Sequence, residues 1–177
     1  YRSQEIKDYI GKHPEYDNSV IVLSGDVGFY SGAKKLLDVM AESKIEVQCG
    51  ISSVVYFMSK IGLSWDDAKI VSAHGRGCNL ISHIRHEKKV FAILGTSDGV
   101  AILAKKLVEY NMGDVLLYVG ENLSYDNEKI FVKSASELTE YVGDPLSVVC
   151  AVNENAITRP ETHGIKDEEF IRGKAPM

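Results

Sequence analysis

Cysteine is scarce in this chain: Cys49, Cys78 and Cys150 are the only three in 177 residues. An odd number without a Cys-x-x-Cys pair excludes a disulfide framework and a zinc-ribbon pattern, and it points to a reducing, cytoplasmic setting. Excess positive charge is also lacking, with 20 Lys and Arg against 25 Asp and Glu and a formal net charge of -5. That balance argues against nucleic acid or an anionic membrane as the main partner. No apolar run approaches the ~18 to 20 residues of a membrane span, and no basic, apolar leader opens the chain, so the expectation is a protein neither embedded nor secreted. Proline is limited to 4 residues, and low-complexity segments and fixed-period repeats are missing, which excludes disordered and fibrous classes. Three motif absences narrow the chemistry. There is no Gly-x-Gly-x-x-Gly loop and no Walker lysine, and no Gly-x-Ser-x-Gly elbow for a Ser-His-Asp triad.

What is present is an ordinary globular pattern. Hydrophobic residues make up 45% of the chain, and a chain of this size buries roughly 70% of the surface its unfolded form exposes. A core can therefore form without cross-links. Strand and helix signals alternate. Ser19 to Ser24 is a β-branched apolar run of the kind covered on both faces of a parallel sheet. Ala33, Leu36, Leu37 and Met40 then mark an amphipathic helix. Ile45 to Gln48, Lys69 to Ala73, Val90 to Leu94, Asp114 to Val119, Lys129 to Lys133 and Leu146 to Val152 read as further strands. Helices are predicted over Ser3 to Ile10, Ser52 to Ile61, Asn79 to His86 and Gly99 to Tyr110, the last closed by Gly113. Ser134 and Glu137 form a capping box that starts another. Short connections between alternating elements imply an α/β fold with mainly parallel sheets. A seam near Leu63 to Asp67, or just after Ala73, implies two small lobes, residues 1–73 and 74–177.

In open α/β sheets ligands bind at the carboxyl ends of the strands, which directs attention to the loops there. Ser24-Gly-Asp-Val-Gly-Phe-Tyr-Ser-Gly32 places three glycines and one carboxylate between a buried strand and a helix; spacing alone leaves a ligand loop and a glycine-rich turn both open. Cys49-Gly-Ile-Ser-Ser53 precedes a helix, where Ser52 or Ser53 serves as a cap or as a ligand contact. Cys49 has no basic residue or His beside it and reads as a small buried thiol rather than a nucleophile. Lys69 to Lys89 concentrates Lys69, Arg76, Arg85, Lys88 and Lys89 with His74, His83 and His86 against a single acid, Glu87. This basic stretch suits a polycarboxylate, or else a solvated helix face. His83 and His86 lack a supporting ligand pattern, so no metal is expected.

Leu23-Ser-Gly-Asp-Val-Gly-Phe-Tyr-Ser-Gly32, followed by Gly50-Ile-Ser-Ser-Val54, resembles the tetrapyrrole methyltransferases. Val71-Ser-Ala-His-Gly-Arg76, Tyr118-Val-Gly-Glu-Asn-Leu-Ser-Tyr125 with Glu128-Lys-Ile130, and Arg172-Gly-Lys-Ala-Pro-Met177 are similar to the branch that methylates C5 of the corrin precursor cobalt-precorrin-7 in cobalamin biosynthesis. The resemblance implies a cytoplasmic homodimer of two-lobed α/β chains with S-adenosyl-L-methionine between the lobes. A separate C15-methylating decarboxylase subunit is a further implied partner. By position, Asp26, Val27, Gly28 and Tyr30 would line the methionine end of the cofactor, with Ser52 and Ser53 on the next loop. Leu94 and the Tyr118 to Asn122 turn, including Gly120 and Asn122, would meet the adenosine. His74, Arg76 and Arg85 would hold substrate carboxylates. The resemblance names no catalytic acid or base. It also implies an N-terminal lobe short of its beginning, because the family's opening strand and Gly-Pro-Gly loop have no counterpart in Tyr1 to Asn18. Methylation at another corrin position, or a non-catalytic cofactor-binding subunit, are the alternatives.

Overall fold

The computed structural model describes residues 2–73 and 79–157. His74, Arg76, Cys78 and the Arg172 to Met177 motif lie outside them. In chain order the elements are α1 (Ser3–Gly11), α2 (Ala33–Val39), α3 (Ser53–Lys60), β1 (Lys69–Ser72), α4 (Leu80–His86), β2 (Lys89–Ile93), α5 (Gly99–Glu109), β3 (Leu116–Glu121), β4 (Lys129–Ser134), a 3-10 turn (Ala135–Leu138) and β5 (Ser147–Val152). Local chemistry sets several boundaries. Asn79 caps α4 by accepting the Ser82 N–H at 3.1 Å, and the Ser134 to Glu137 capping box is made as the pattern predicts. Asn111, not Gly113, takes the left-handed conformation after α5, with φ 57°, a role Asn can fill in place of Gly.

The strands form one sheet in the order β1-β2-β5-β3-β4. Only β1 and β2 pair in parallel; β5 runs antiparallel to both β2 and β3, and β4 runs antiparallel to β3. The α/β class holds, but the expected mainly parallel pairing does not. The crossover through α4 permits one parallel pair, whereas the short β3 to β4 turn and the insertion of β5 enforce the opposite direction. Because β1, β2 and β3 point the same way, Ser72, Ile93 and Glu121 end at one edge, beside the first residues of β4 and β5, Lys129 and Ser147.

Each face of the sheet is covered. On one, Val90, Ala92, Leu117, Val119, Val149 and Ala151 pack under α4 and α5 through Ile84, Val100, Leu103 and Leu107. On the other, Phe91, Val148 and Cys150 pack under α3 through Val54, Phe57 and Met58. The strand alternation that separates these two sets is legible in the sequence.

The expected strands over Ser19 to Ser24 and Ile45 to Gln48 are not formed among the described residues: neither segment enters a ladder. Val20 and Val22 are 88% and 86% exposed. A two-sided apolar strand is stable only between neighbours, and no described segment supplies them.

Burial has a pH consequence at Cys150, which is fully enclosed in the α3 face. Its thiol is pushed from 9.0 up to about 12 by desolvation. Above pH 9 the unfolded chain loses this proton while the folded chain keeps it, so stability is full below pH 9 and falls as pH rises, by about 1.4 kcal/mol per unit. Urea unfolding between pH 8 and 11 should show this decline in the wild type and a shallower one in Cys150→Ala.

Candidate functional site

Two glycine-bearing loops come together beside the α3 face. Asp26 joins them: its Oδ1 accepts the Gly28 N–H at 2.8 Å and its Oδ2 accepts the Gly50 N–H at 3.2 Å. The approach is so close that a Cβ on Gly50 would lie 2.2 Å from the Gly25 carbonyl oxygen, closer than any side chain permits. Gly25 itself sits at φ 76°, the region glycine enters at little cost. Phe29 carries loop 25–30 onto the sheet, its ring centroid 6.2 Å from that of Phe91. Beside it Tyr30, at φ 48°, is half-exposed and meets Phe29 edge-on. Ser52 is buried and caps α3 by accepting the Val55 N–H, while Ser53 opens the first turn.

Helix α3 connects these loops to the sheet edge. Phe57, four residues into the helix and hence about 6 Å along its axis, lies on Gly120, where a Cβ would meet the Phe57 ring at 2.6 Å. A polar anchor fixes the same helix from outside. The Tyr56 hydroxyl donates to Glu128 Oε2 at 2.8 Å, the Ser124 N–H donates to the same oxygen at 2.8 Å, and Lys60 lies 3.5 Å from Oε1. The Ser124 amide first, then Tyr56 and Lys60, hold the Glu128 carboxyl below the usual carboxylate range.

Asn122 follows β3 in the left-handed region, φ 48°. Its N–H donates to the Leu146 carbonyl at 3.0 Å and its side-chain amide to Asp144 Oδ2 at 2.8 Å. The preceding Glu121 is fully buried; its Oε1 accepts the Asp144 N–H at 3.1 Å and Lys129 lies 4.0 Å from Oε2. Gly143 permits this, since a Cβ there would overlap Glu121 Oε1 at 2.0 Å. Tyr141 completes the clasp. Burial first, then the hydrogen bond to Glu121, pushes its hydroxyl from 10.0 up to about 12. Leu94 contributes backbone here: its side chain is in the α5 core, and its N–H donates to the Ser147 carbonyl at 2.9 Å.

Asp26, Val27, Gly28, Tyr30, Ser52 and Ser53 are thus on two joined loops, and Gly120 is reached through Phe57. Arg85 is elsewhere: it belongs to α4, on the opposite face of the sheet from α3, with its guanidinium 5.4 Å from the centre of the Tyr110 ring. His74 and Arg76 lie outside the described residues. Cys49 is exposed, not buried as its sequence setting implied, because the segment it belongs to lacks a sheet partner. Among the described residues no three His, Cys, Asp or Glu side chains converge as metal ligands, and no helix is long and apolar enough to cross a membrane.

The sequence matches Tetrapyrrole (Corrin/Porphyrin) Methylases over residues 4–139. The chain belongs to this family. Within it, the chain is 34% identical over 141 residues to a probable cobalt-precorrin-7 C(5)-methyltransferase of Methanocaldococcus jannaschii, covering 76% of this chain and 65% of that protein. It is 31% identical over 115 residues to the cobalt-precorrin-7 C(5)-methyltransferase of Salmonella typhimurium, covering 64% of this chain and 57% of that protein. The chain therefore aligns with less than two thirds of the length of these relatives. The tetrapyrrole methylase fold is seen again in the uroporphyrin-III C-methyltransferase of Thermus thermophilus complexed with S-adenosyl homocysteine, at TM-score 0.65 and 16% identity, covering 85% of this chain and 73% of that one.

Sequence reasoning missed Tyr56 and Asp144, and it quoted Glu128 within a motif without giving it a role. Two substitutions test these contacts. Asp26→Asn leaves a single acceptor oxygen for two amides, so the Gly28 or Gly50 N–H should exchange roughly tenfold faster by NMR. Tyr56→Phe should lower unfolding stability by about 1 to 2 kcal/mol in urea titrations, from loss of a hydrogen bond to a carboxylate.

Proposed function

We propose that this protein is an S-adenosyl-L-methionine-dependent C-methyltransferase acting on C5 of a corrin precursor, cobalt-precorrin-7, in cobalamin biosynthesis. The supporting observation is the junction of loops 25–30 and 50–53 through Asp26, on the same face of the sheet as Gly120, in a chain related to proteins named for that activity. The residues fit the cofactor. Asp26 supplies a carboxylate where the two loops meet, its oxygens held by the Gly28 and Gly50 N–H groups, and that negative charge would favour a sulfonium cation.

In this reading Asp26, Val27, Gly28 and Tyr30 hold the methionine end, with Ser52 and Ser53 at the amino end of α3. Leu94, Gly120 and Asn122 meet the adenosine. When bound, the cofactor supplies an electrophilic methyl group that an electron-rich ring carbon displaces in line. The chain's part is alignment, which in well-oriented pairs supplies effective molarities of about 10⁵ to 10⁸ M. No side chain is needed as a nucleophile, and none is assigned as acid or base. Asp26 orients its loop and lends negative potential to the sulfonium. His74, Arg76 and Arg85 pair with substrate carboxylates. The division into lobes 1–73 and 74–177, a cytoplasmic homodimer and a separate C15-methylating decarboxylase partner belong to the same reading.

A second reading, a non-catalytic cofactor-binding subunit, is favoured by the exposed Val20 and Val22, whose segment enters no strand among the described residues. Calorimetry with S-adenosyl-L-methionine and incubation with cobalt-precorrin-7 and methyl-labelled cofactor separate the two. Label on the macrocycle, abolished by Gly50→Arg, is expected; cofactor binding with no transfer supports the second reading, and no binding at all rejects both.

A further inference from the structure

The turn after β3, residues 122–128, holds two residues in a strained backbone conformation. Asn122 and Ser124 stand in the left-handed region, at φ 48° and 71°, which residues with side chains occupy only where the surroundings hold them there. The Tyr125 N–H donates to the Asn122 carbonyl and the Glu128 N–H to the Tyr125 carbonyl, each at 3.0 Å. The Glu128 carboxylate then closes the turn, its Oε2 accepting the Ser124 N–H at 2.8 Å. The same oxygen accepts the Tyr56 hydroxyl at 2.8 Å. Lys60, one helical turn on from Tyr56, lies 3.5 Å from Oε1 and 5.2 Å from the centre of the Tyr56 ring. One carboxylate therefore ties a strained turn to helix α3.

The two ends of this tie belong to different parts of the proposed cofactor site. Helix α3 carries Ser52 and Ser53 at its amino end, and Gly50, just before them, is bonded to Asp26. The turn begins with Asn122, two residues after Gly120. Phe57 and Leu123 both close on Gly120, where a Cβ would meet them at 2.6 and 3.0 Å. Such apolar contact sets how near the helix lies but is indifferent to direction, whereas the bonds to Glu128 are directional. We infer that Glu128 is a positioning residue for methyl transfer: through Tyr56 and Ser124 it fixes the loop that receives one end of the cofactor relative to the turn that receives the other. The inference rests on the methyltransferase reading above and adds to it Glu128, Tyr56 and Lys60, to which that reading gives no cofactor contact.

Calorimetry with S-adenosyl-L-methionine, amide exchange by NMR, labelled transfer to cobalt-precorrin-7 and urea unfolding, all on the full chain, test it. Glu128→Ala should raise the cofactor Kd roughly tenfold. It should lower kcat up to roughly a hundredfold, the scale of a misalignment of about 1 Å, with the KM for cobalt-precorrin-7 changed less than about threefold. Its Gly50 N–H should exchange roughly tenfold faster relative to the Val149 N–H, which is fully buried in the central strand β5 and reports global opening. Both bonds fall on one oxygen, so Glu128→Gln can keep them and should return Kd and exchange to within about threefold of wild type. Tyr56→Phe should change Kd by less than about twofold once Glu128 is Ala, because partners in one network are not additive. Lys105→Gln breaks an exposed pair with Glu140 on the α5 side and should leave Kd within about twofold. Lower urea stability in Glu128→Ala with unchanged Kd, kcat and relative Gly50 exchange overturns the inference, since a merely structural role gives that pattern. Full additivity of the Tyr56 and Glu128 substitutions in Kd also overturns it. A wild type that binds no cofactor overturns the methyltransferase reading, and the relative Gly50 exchange then decides alone whether Glu128 positions that loop.

Discussion

The contact between the Phe57 ring and the bare backbone of Gly120 fixes the rest of the site. A helix can be pressed onto a sheet only as closely as the side chains between them allow, and here one position carries none: any Cβ on Gly120 would occupy the ring of Phe57. That close approach sets the height of α3, which in turn sets Ser52 and Gly50 at its amino end and, through Asp26, loop 25–30. Tyr56, one residue before Phe57, turns outward to Glu128 and stops α3 from rotating about its apolar contact. An apolar contact supplies most of the attachment and is indifferent to direction; the carboxylate network supplies the direction.

A similar arrangement holds the turn after β3. Asn122 is kept in a left-handed conformation that costs on the order of 1 kcal/mol for a residue with a side chain. The cost is offset by the bonds of its backbone N–H to Leu146 and its side chain to Asp144, while Glu121 receives the Asp144 amide from beneath. Glu121 is buried, with its Oε1 accepting the Asp144 N–H and Lys129 4.0 Å from its Oε2. The segment 141–146 therefore serves as a strap tying the end of β3 to the start of β5, and it presents a fixed turn rather than a mobile loop beside Gly120.

Much of this was legible in the sequence, and what was not shares a physical cause. Helices α3, α4 and α5, the Ser52 cap and the buried strands β2 and β5 follow from periodicity and capping, which act over a few residues. Strand direction does not: the place of β5 between β2 and β3 depends on contacts far apart in the chain. The run Ser19 to Ser24 has every local mark of a buried strand, yet a strand exists only with neighbours, and none is supplied by the described residues. The glycine loops were visible as loops, but the pairing of Asp26 with Gly50, 24 residues away, and of Tyr56 with Glu128, 72 residues away, has no local signature. Cys49 was misjudged for the same reason, since its burial presumed a strand partner.

The basic stretch from Lys69 to Lys89 divides once the fold is known. Lys89 closes on Asp67 at 2.6 Å and on the Ser64 carbonyl at 2.9 Å, tying the loop before β1 to the start of β2. That cation is structural. Arg85, only four positions earlier, has an aromatic ring for a neighbour instead of an acid, and the turn of α4 separates the two roles. A chain with a net charge of -5 has carboxylates to spare, so a cation without an ion-pair partner among the described residues is not explained by a shortage of acids. Position explains it: α4 holds Arg85 over the Tyr110 ring, whose face attracts a guanidinium, while Lys89 at the start of β2 meets Asp67.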